Sequence, residues 1–124
     1  MKIPALRPIP EDRPLTYAER ALATWMLEHG EADGRAFLPQ LGRARVVSRC
    51  GCGCASIALA VDGLHRPAAG GLRILGDFVH GDGDEVSGIF IFEREGVLAG
   101  IEVHALGGGT PASLPAPEVL RPLR

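Results

Sequence analysis

The apolar side chains over residues 16–29 recur at the spacing of an amphipathic helix. They form one stripe, which comprises Ala18, Ala21, Leu22, Trp25, Met26 and His29. Ala23 lies on the opposite, more polar face. Thr16 and Glu19 fit a capping box, in which each side chain binds a backbone amide of the first turn. Gly30 is placed for a left-handed C-cap, so the pattern predicts a helix that ends there and packs on a sheet.

The pattern changes from helical to extended after Arg43. A second short helix is predicted over residues 35–41, and strands are predicted over residues 44–49, 54–62, 72–79, 86–94 and 97–106. Glu95 and Gly96 stand between two apolar runs and predict a tight hairpin. Because short links favour antiparallel neighbours, we expect an α+β domain. Its N-terminal helix packs on a mostly antiparallel meander sheet of four to five strands.

One predicted strand is apolar on both of its faces. Ile89 and Ile91 point to one side of the sheet, while Phe90 and Phe92 point to the other. Such a strand lies in the centre of its sheet, or its second face is covered by another chain.

The composition fits one globular domain. The chain has 124 residues, of which 46% are hydrophobic and 23% charged, with a formal net charge of −2. A disordered chain would be less apolar and more highly charged, and a nucleic-acid-binding protein would carry surplus Lys and Arg. We therefore expect no nucleic-acid partner. The prolines and glycines predict an extended Pro-rich arm over residues 1–15, a single domain over residues 16–106 and a Gly/Pro-rich tail over residues 107–124.

The sequence also predicts a cytoplasmic location. It contains no run of about 18 apolar residues, so neither a membrane span nor a membrane partner is expected. The first residues lack the apolar stretch of a secretion signal. The three cysteines are odd in number and adjacent, unlike the dispersed pairs of a disulfide framework.

The cysteine cluster is the one chemically distinctive stretch of the sequence. Cys50, Cys52 and Cys54 alternate with Gly51 and Gly53. Three soft thiolates so close together suggest zinc or copper(I) binding. On a regular strand, residues two apart are separated by nearly 7 Å, whereas thiolates on one zinc ion are about 4 Å apart. The cysteines therefore form a metal site only if the glycines break the strand into a turn.

Other interpretations of the cluster stay open. The cysteines are in phase with Ser56, Ala58 and Ala60, which would give a strand face of small apolar side chains. A metal site would need a fourth ligand for zinc; the candidates are His65, His80 and His104. A nucleophilic thiol would need a histidine beside it and a cation such as Arg49 to stabilise the thiolate.

The order of these parts resembles that of small, functionally uncharacterised proteins from actinobacteria. The resemblance rests on a capped helix, a short Leu-rich segment, an Ala-Arg-Val-Val strand, a Cys-Gly-Cys-rich turn before an aliphatic strand, and an acidic hairpin. These parts are residues 16–29, 37–41, 44–47, 50–61 and 89–103. The resemblance implies the domain boundaries and the cytoplasmic location, and it implies no activity.

Two functional hypotheses follow. The first is a non-enzymatic binding or interaction domain, with a homodimer that covers the second sheet face as one form of it. The second is a cytoplasmic metal- or thiol-dependent protein that uses Cys50, Cys52 and Cys54. The sequence contains no convincing catalytic set and so leaves enzymatic activity undecided.

Overall fold

The structure, a computed structural model, describes residues 8–65, 71–107 and 111–123, and the other residues lie outside the described part of the chain. In that part the strands are β1 (Ile9–Pro14), β2 (Ala44–Arg49), β3 (Ile57–Val61), β4 (Arg73–His80), β5 (Ser87–Arg94), β6 (Val97–Ala105) and β7 (Arg121–Pro122). The α-helices are α1 (Tyr17–His29) and α2 (Leu38–Leu41), and short 3-10 helices cover Ala32–Phe37, Gly83–Glu85 and Pro117–Val119. The α+β class is confirmed.

Helix α1 begins with the predicted capping box. The Thr16 hydroxyl accepts from the Glu19 amide at 3.1 Å, and the Glu19 carboxylate accepts from the Thr16 amide at 2.8 Å. The guanidinium of Arg13 also binds the two oxygens of Glu19, at 2.8 and 2.9 Å. These contacts tie the start of the helix to the end of β1.

The predicted left-handed C-cap is wrong. Gly30 has φ −94° and ψ −134°, which is outside the left-handed region. A Cβ added at this position would lie 2.2 Å from the carbonyl oxygen of Leu75 in β4. Glycine is therefore needed here because the chain passes close to the backbone of the sheet, and not because of its φ angle.

The buried side of α1 is rotated from the predicted stripe. Ala23 and Leu27 are fully buried, whereas Ala18 and His29 are exposed. The reason is that α1 packs on β4 and β5 and also against α2 and the 3-10 helix Ala32–Phe37. The second short helix thus covers a side of α1 that the sequence pattern assigned to solvent.

The described strands form one antiparallel sheet in the order β1-β2-β3-β6-β5-β4-β7. It has seven strands, so the predicted count of four to five was too low. The predicted meander is interrupted between β3 and β4. Consecutive strands are neighbours within β1-β2-β3 and within β4-β5-β6, but β3 pairs with β6 through Ile57 and Ile101 and not with β4. This pairing places the buried side chains of β3 beside those of β6.

Both additional strands come from Pro-rich segments at the sheet edges. β1 belongs to the predicted arm, whose residues before Pro8 lie outside the described part of the chain. β7 belongs to the predicted tail, and Leu120 beside it is buried, so the tail is less irregular than expected. Proline is tolerated at edges because its missing amide faces away from the neighbouring strand.

The sheet has a core face and a second face. The core face packs against the helices with fully buried side chains that include Leu59, Leu75, Ile89, Ile91 and Ile101. The second face carries Gly88, Phe90 and Phe92 of β5 and, in register with them, His104, Glu102 and Gly100 of β6. The ring of Phe92 lies over Gly100, and the ring of His104 lies over Gly88. A Cβ added at Gly100 would be 2.9 Å from the Phe92 ring, and a Cβ added at Gly88 would be 2.2 Å from the His104 ring. Phe92 is consequently only 7% exposed.

Candidate metal-binding and thiol site

The connection between β2 and β3, residues 50–56, is a compact turn that we call the cysteine loop. The Cys50 amide donates to the carbonyl oxygen of Ser56 at 3.2 Å, and the Gly53 amide donates to that of Cys50 at 3.3 Å. Gly53 has φ +91°, a conformation that glycine adopts without strain. β3 begins only at Ile57, so the cysteines do not continue its face of small side chains.

The turn brings the three sulfurs together. The Sγ atoms of Cys50, Cys52 and Cys54 all lie within 4.8 Å of one another. The sulfurs of Cys50 and Cys52 are 2.7 Å apart. The cysteines are free thiols; Cys52 is exposed, and the other two are half-buried. The break in the strand, on which the predicted metal site depended, is present.

Backbone and side-chain donors surround these sulfurs. The Cys52 amide points to the sulfur of Cys50, and the Cys54 amide to that of Cys52, both at 3.4 Å. The Cys54 thiol donates to the hydroxyl of Ser56 at 3.5 Å. This hydroxyl is buried and accepts from the Val103 amide of β6 at 2.9 Å. The hydrogen bonds anchor one end of the cysteine loop to the sheet.

The thiols differ in acidity. Contact with the Cys50 thiol lowers the pKa of Cys52, with further lowering from Cys54, whose amide donates to the sulfur of Cys52. The same contact with Cys52 raises the pKa of Cys50 to about 11. Removing a proton from this cluster therefore yields a thiolate at Cys52, while Cys50 keeps its proton and donates to it.

Two clefts flank the cysteine loop, and Arg49 lines both. The larger cleft, about 380 Å³, lies beside Cys54 and the segment Ala112–Pro115. The smaller, about 220 Å³, lies beside Cys50 and also contains Glu102. The guanidinium of Arg49 is half exposed and forms an ion pair with Glu11, with its Nε 3.7 Å from a Glu11 oxygen. Partial desolvation raises the pKa of Glu102.

The three candidate histidines lie elsewhere. His65 binds the carbonyl oxygen of Leu59, at 3.0 Å. His80 is the last residue of β4, and His104 lies on the second face over Gly88. In the described ranges, no histidine or carboxylate joins the group of three sulfurs. The structure thus assembles the predicted cysteines and separates them from every histidine that the sequence offered as a fourth ligand.

Sequence reasoning missed the groups that hold the thiols in place. Ser56 and the backbone amides of the loop were not expected at the site. The C-terminal segment was missed too, although the Ala55 amide donates to the carbonyl oxygen of Pro111 at 2.9 Å. The alternating glycines were the available signal, because they permit a turn whose amides point at sulfur.

Comparison with known proteins finds no family model, no curated protein and no solved structure that matches this chain. The resemblance to actinobacterial proteins stays a prediction. No helix in the described ranges is both long and apolar enough to cross a bilayer.

Proposed function

We propose that this chain is a cytoplasmic metal-binding protein that holds one soft d¹⁰ ion, copper(I) or zinc, on Cys50, Cys52 and Cys54. The observation that carries the proposal is the convergence of three sulfurs within 4.8 Å on one seven-residue loop. Thiolates are the preferred ligands of both ions. The odd number and adjacency of the cysteines, unlike the dispersed pairs of a disulfide framework, support the cytoplasmic placement.

The number of ligands favours an exchangeable ion. Among the described residues only three sulfurs belong to the group. Copper(I) accepts three thiolates, and zinc would complete its tetrahedron with water, as it does at open sites. Cys52 is exposed, so an incoming ligand reaches the ion directly. A structural zinc site is closed by four protein ligands, and this one is open.

The charge of the site is balanced by its surroundings. Three thiolates around one zinc ion leave a net charge of −1, and around copper(I) −2. The amides of Cys52 and Cys54 point at sulfur, while Arg49, which lines the clefts on both sides of the loop, is paired with Glu11. Donors of this kind stabilise ligated thiolates and orient them.

The fold does not depend on this ion for its core. The fully buried side chains lie between α1 and the core face of the sheet, and none of them belongs to the cysteine loop. We therefore expect the metal-free chain to fold, unlike a small domain whose only core is its metal site.

A metal titration tests the proposal. Reduced, chelator-free protein is titrated with zinc and, under anaerobic conditions, with copper(I). We expect one ion per chain, a thiolate-to-metal absorption in the ultraviolet and protection of all three thiols from alkylation. Cys54→Ser should lose this binding, and Ala112→Ser is the matched control. Ala112 is exposed and lines the larger cleft, so its substitution adds a hydroxyl beside the loop without removing a sulfur. Binding weaker than about 1 µM in the unmodified chain would overturn the proposal.

The homodimer is a second proposal, with less support. It was motivated by a strand that is apolar on both faces, yet Phe92 is nearly buried within the single chain and Phe90 is half-buried. The ring of Phe90 packs on Phe92, with their centroids 5.6 Å apart, and Arg94 lies over the Phe92 ring at 5.4 Å. Light scattering after gel filtration tests it, and a monomer at high concentration would refute it.

A further inference from the structure

The three thiols of the cysteine loop are not equivalent, although a metal centre alone would not require them to differ. Cys54 donates to Ser56, which is bound to β6. Cys50 and Cys52 face each other at 2.7 Å, and Cys52 is the exposed member of this pair. An exposed thiol in contact with a shielded one is an arrangement suited to two-step thiol chemistry.

We propose that Cys50 and Cys52 form a thiol–disulfide exchange pair, in which Cys52 attacks an incoming organic disulfide and Cys50 resolves the intermediate. The activity goes beyond metal binding and does not need Cys54. The same two sulfurs cannot hold an ion and a disulfide at once. Oxidation of the pair therefore also removes two ligands from the proposed metal site.

The exchange balances in two steps. The Cys52 thiolate attacks one sulfur of the disulfide R–S–S–R, an S–S bond forms between Cys52 and that sulfur, and R–S⁻ leaves and takes a proton from water. Cys50 then attacks the sulfur of Cys52. The mixed disulfide breaks, the Cys50–Cys52 bond forms, and the Cys50 proton goes to the second departing R–S⁻. The organic disulfide is reduced by two electrons and the cysteine pair is oxidised by two.

The local geometry supports both steps. The Cys54 amide donates toward the sulfur of Cys52 at 3.4 Å, and the sulfur of Cys50 lies 2.7 Å from it on the same turn. A disulfide requires the sulfurs to approach to about 2.05 Å, which from 2.7 Å is a movement of less than about 1 Å. Gly51 lies between the two cysteines and has no side chain to oppose it.

The surroundings favour a small disulfide. Cys52 is exposed, so a disulfide can reach its sulfur from solvent. The cleft beside Cys50 is about 220 Å³, which admits a small molecule and not a folded domain.

The test uses dithiobis(nitrobenzoate), a dianionic disulfide that releases a coloured thiolate at each step. Cys54→Ser serves as the background, because it disables the proposed metal site and leaves the pair intact. In this background we expect two thiolates released per chain and a product whose mass is lower by two hydrogen atoms. Adding Cys50→Ser should give one fast release and a stable adduct on Cys52. Adding Cys52→Ser should slow the first release at neutral pH by at least about tenfold. Circular dichroism verifies that each variant is folded.

The outcomes separate the exchange pair from the metal site. A stable adduct on the Cys54→Ser chain, with no internal disulfide, would overturn the exchange pair. Equal first rates for the two double variants would overturn the assignment of Cys52 as the nucleophile. If the unmodified chain binds no metal but forms the Cys50–Cys52 disulfide, only the metal proposal fails. If the unmodified chain binds metal but forms no Cys50–Cys52 disulfide, only the exchange proposal fails.

Discussion

Two connections between antiparallel neighbours differ in what they do. β5 and β6 are joined by Glu95 and Gly96 alone, with φ values of +53° and +85°, as in the tight turns that match the twist of a hairpin. β2 and β3 are joined by the seven residues of the cysteine loop. A two-residue turn is fixed by the register of its strands and has no freedom to position a ligand. The longer connection can gather side chains, and it is the one in which we propose the metal site.

The two connections also differ in what holds them. The β5–β6 turn is closed by the strand ladder and by the Gly96 amide, which donates to the Glu93 carboxylate at 2.8 Å. The cysteine loop depends on a few hydrogen bonds, to Ser56, to Pro111 and among its own thiols. Substitutions near the β5–β6 hairpin should therefore change the free energy of unfolding, and substitutions in the loop should change ligand binding.

The largest effect on stability is expected at the centre of the sheet. Ile101→Ala should lower the free energy of unfolding by about 2–5 kcal/mol, because it leaves a cavity where a fully buried side chain contacts Ile57 and Ile91. Cys54→Ser, the loop counterpart, should change it by less than about 1 kcal/mol. Urea unfolding of both variants measures the difference. Equal losses would mean that the loop is part of the core.

The next largest effect is expected in alkylation, whose dependence on pH should differ between Cys50 and Cys52. The pKa of Cys52 is lowered from its ordinary value of 9.0, so its thiolate is already present below that pH. The pKa of Cys50 is raised to about 11, so Cys50 stays protonated until the solution is strongly basic. Iodoacetamide and mass spectrometry should show Cys52 modified at least about tenfold faster at neutral pH. Faster reaction at Cys50 would mean that Cys52, and not Cys50, is the donor in the contact between the two sulfurs.

Gly96→Ala should cost about 1–2 kcal/mol of stability and leave metal affinity unchanged. A Cβ there meets no atom within 4 Å, so the cost comes only from the positive φ, which the hairpin register enforces. Thermal unfolding and a zinc titration measure the two quantities. A weakened metal site in this variant would show that the hairpin and the loop are coupled.

Gly53→Ala is the matched change in the cysteine loop and should have the smallest effect on stability. Gly53 also has a positive φ, +91°, with open space around it. The loop can relax the strain by changing its turn, at the expense of the sulfur arrangement. Zinc affinity should fall roughly tenfold, equivalent to about 1.4 kcal/mol. An unchanged affinity would show that the φ of Gly53 does not set the positions of the thiols.

The sequence predicted elements whose signals are local. The bounds of β2 were as expected, and the capping box at Thr16 is present. The pairing of β3 with β6 was missed because it joins segments distant in the chain, and short links had favoured neighbours. β1 and β7 were missed because proline disfavours strands, and only the edge positions make these strands acceptable.

The candidate site was predicted in part, for a physical reason. The cysteines and the condition for their assembly were visible in the alternation with glycine. Whether the chain turns or stays extended at Gly51 and Gly53 was undecided, because glycine adopts either conformation at little cost. Contacts with Ser56 and Pro111 favour the turn, and the partner of Ser56 lies on β6, far along the chain.

X-ray absorption at the zinc edge of the zinc-loaded chain tests whether the three cysteines hold the ion. The spectrum reports the number and type of ligands, independently of any assay of affinity. We expect three sulfur neighbours at about 2.3 Å and one lighter ligand from water. A first shell of nitrogen and oxygen without sulfur would contradict the proposed metal site.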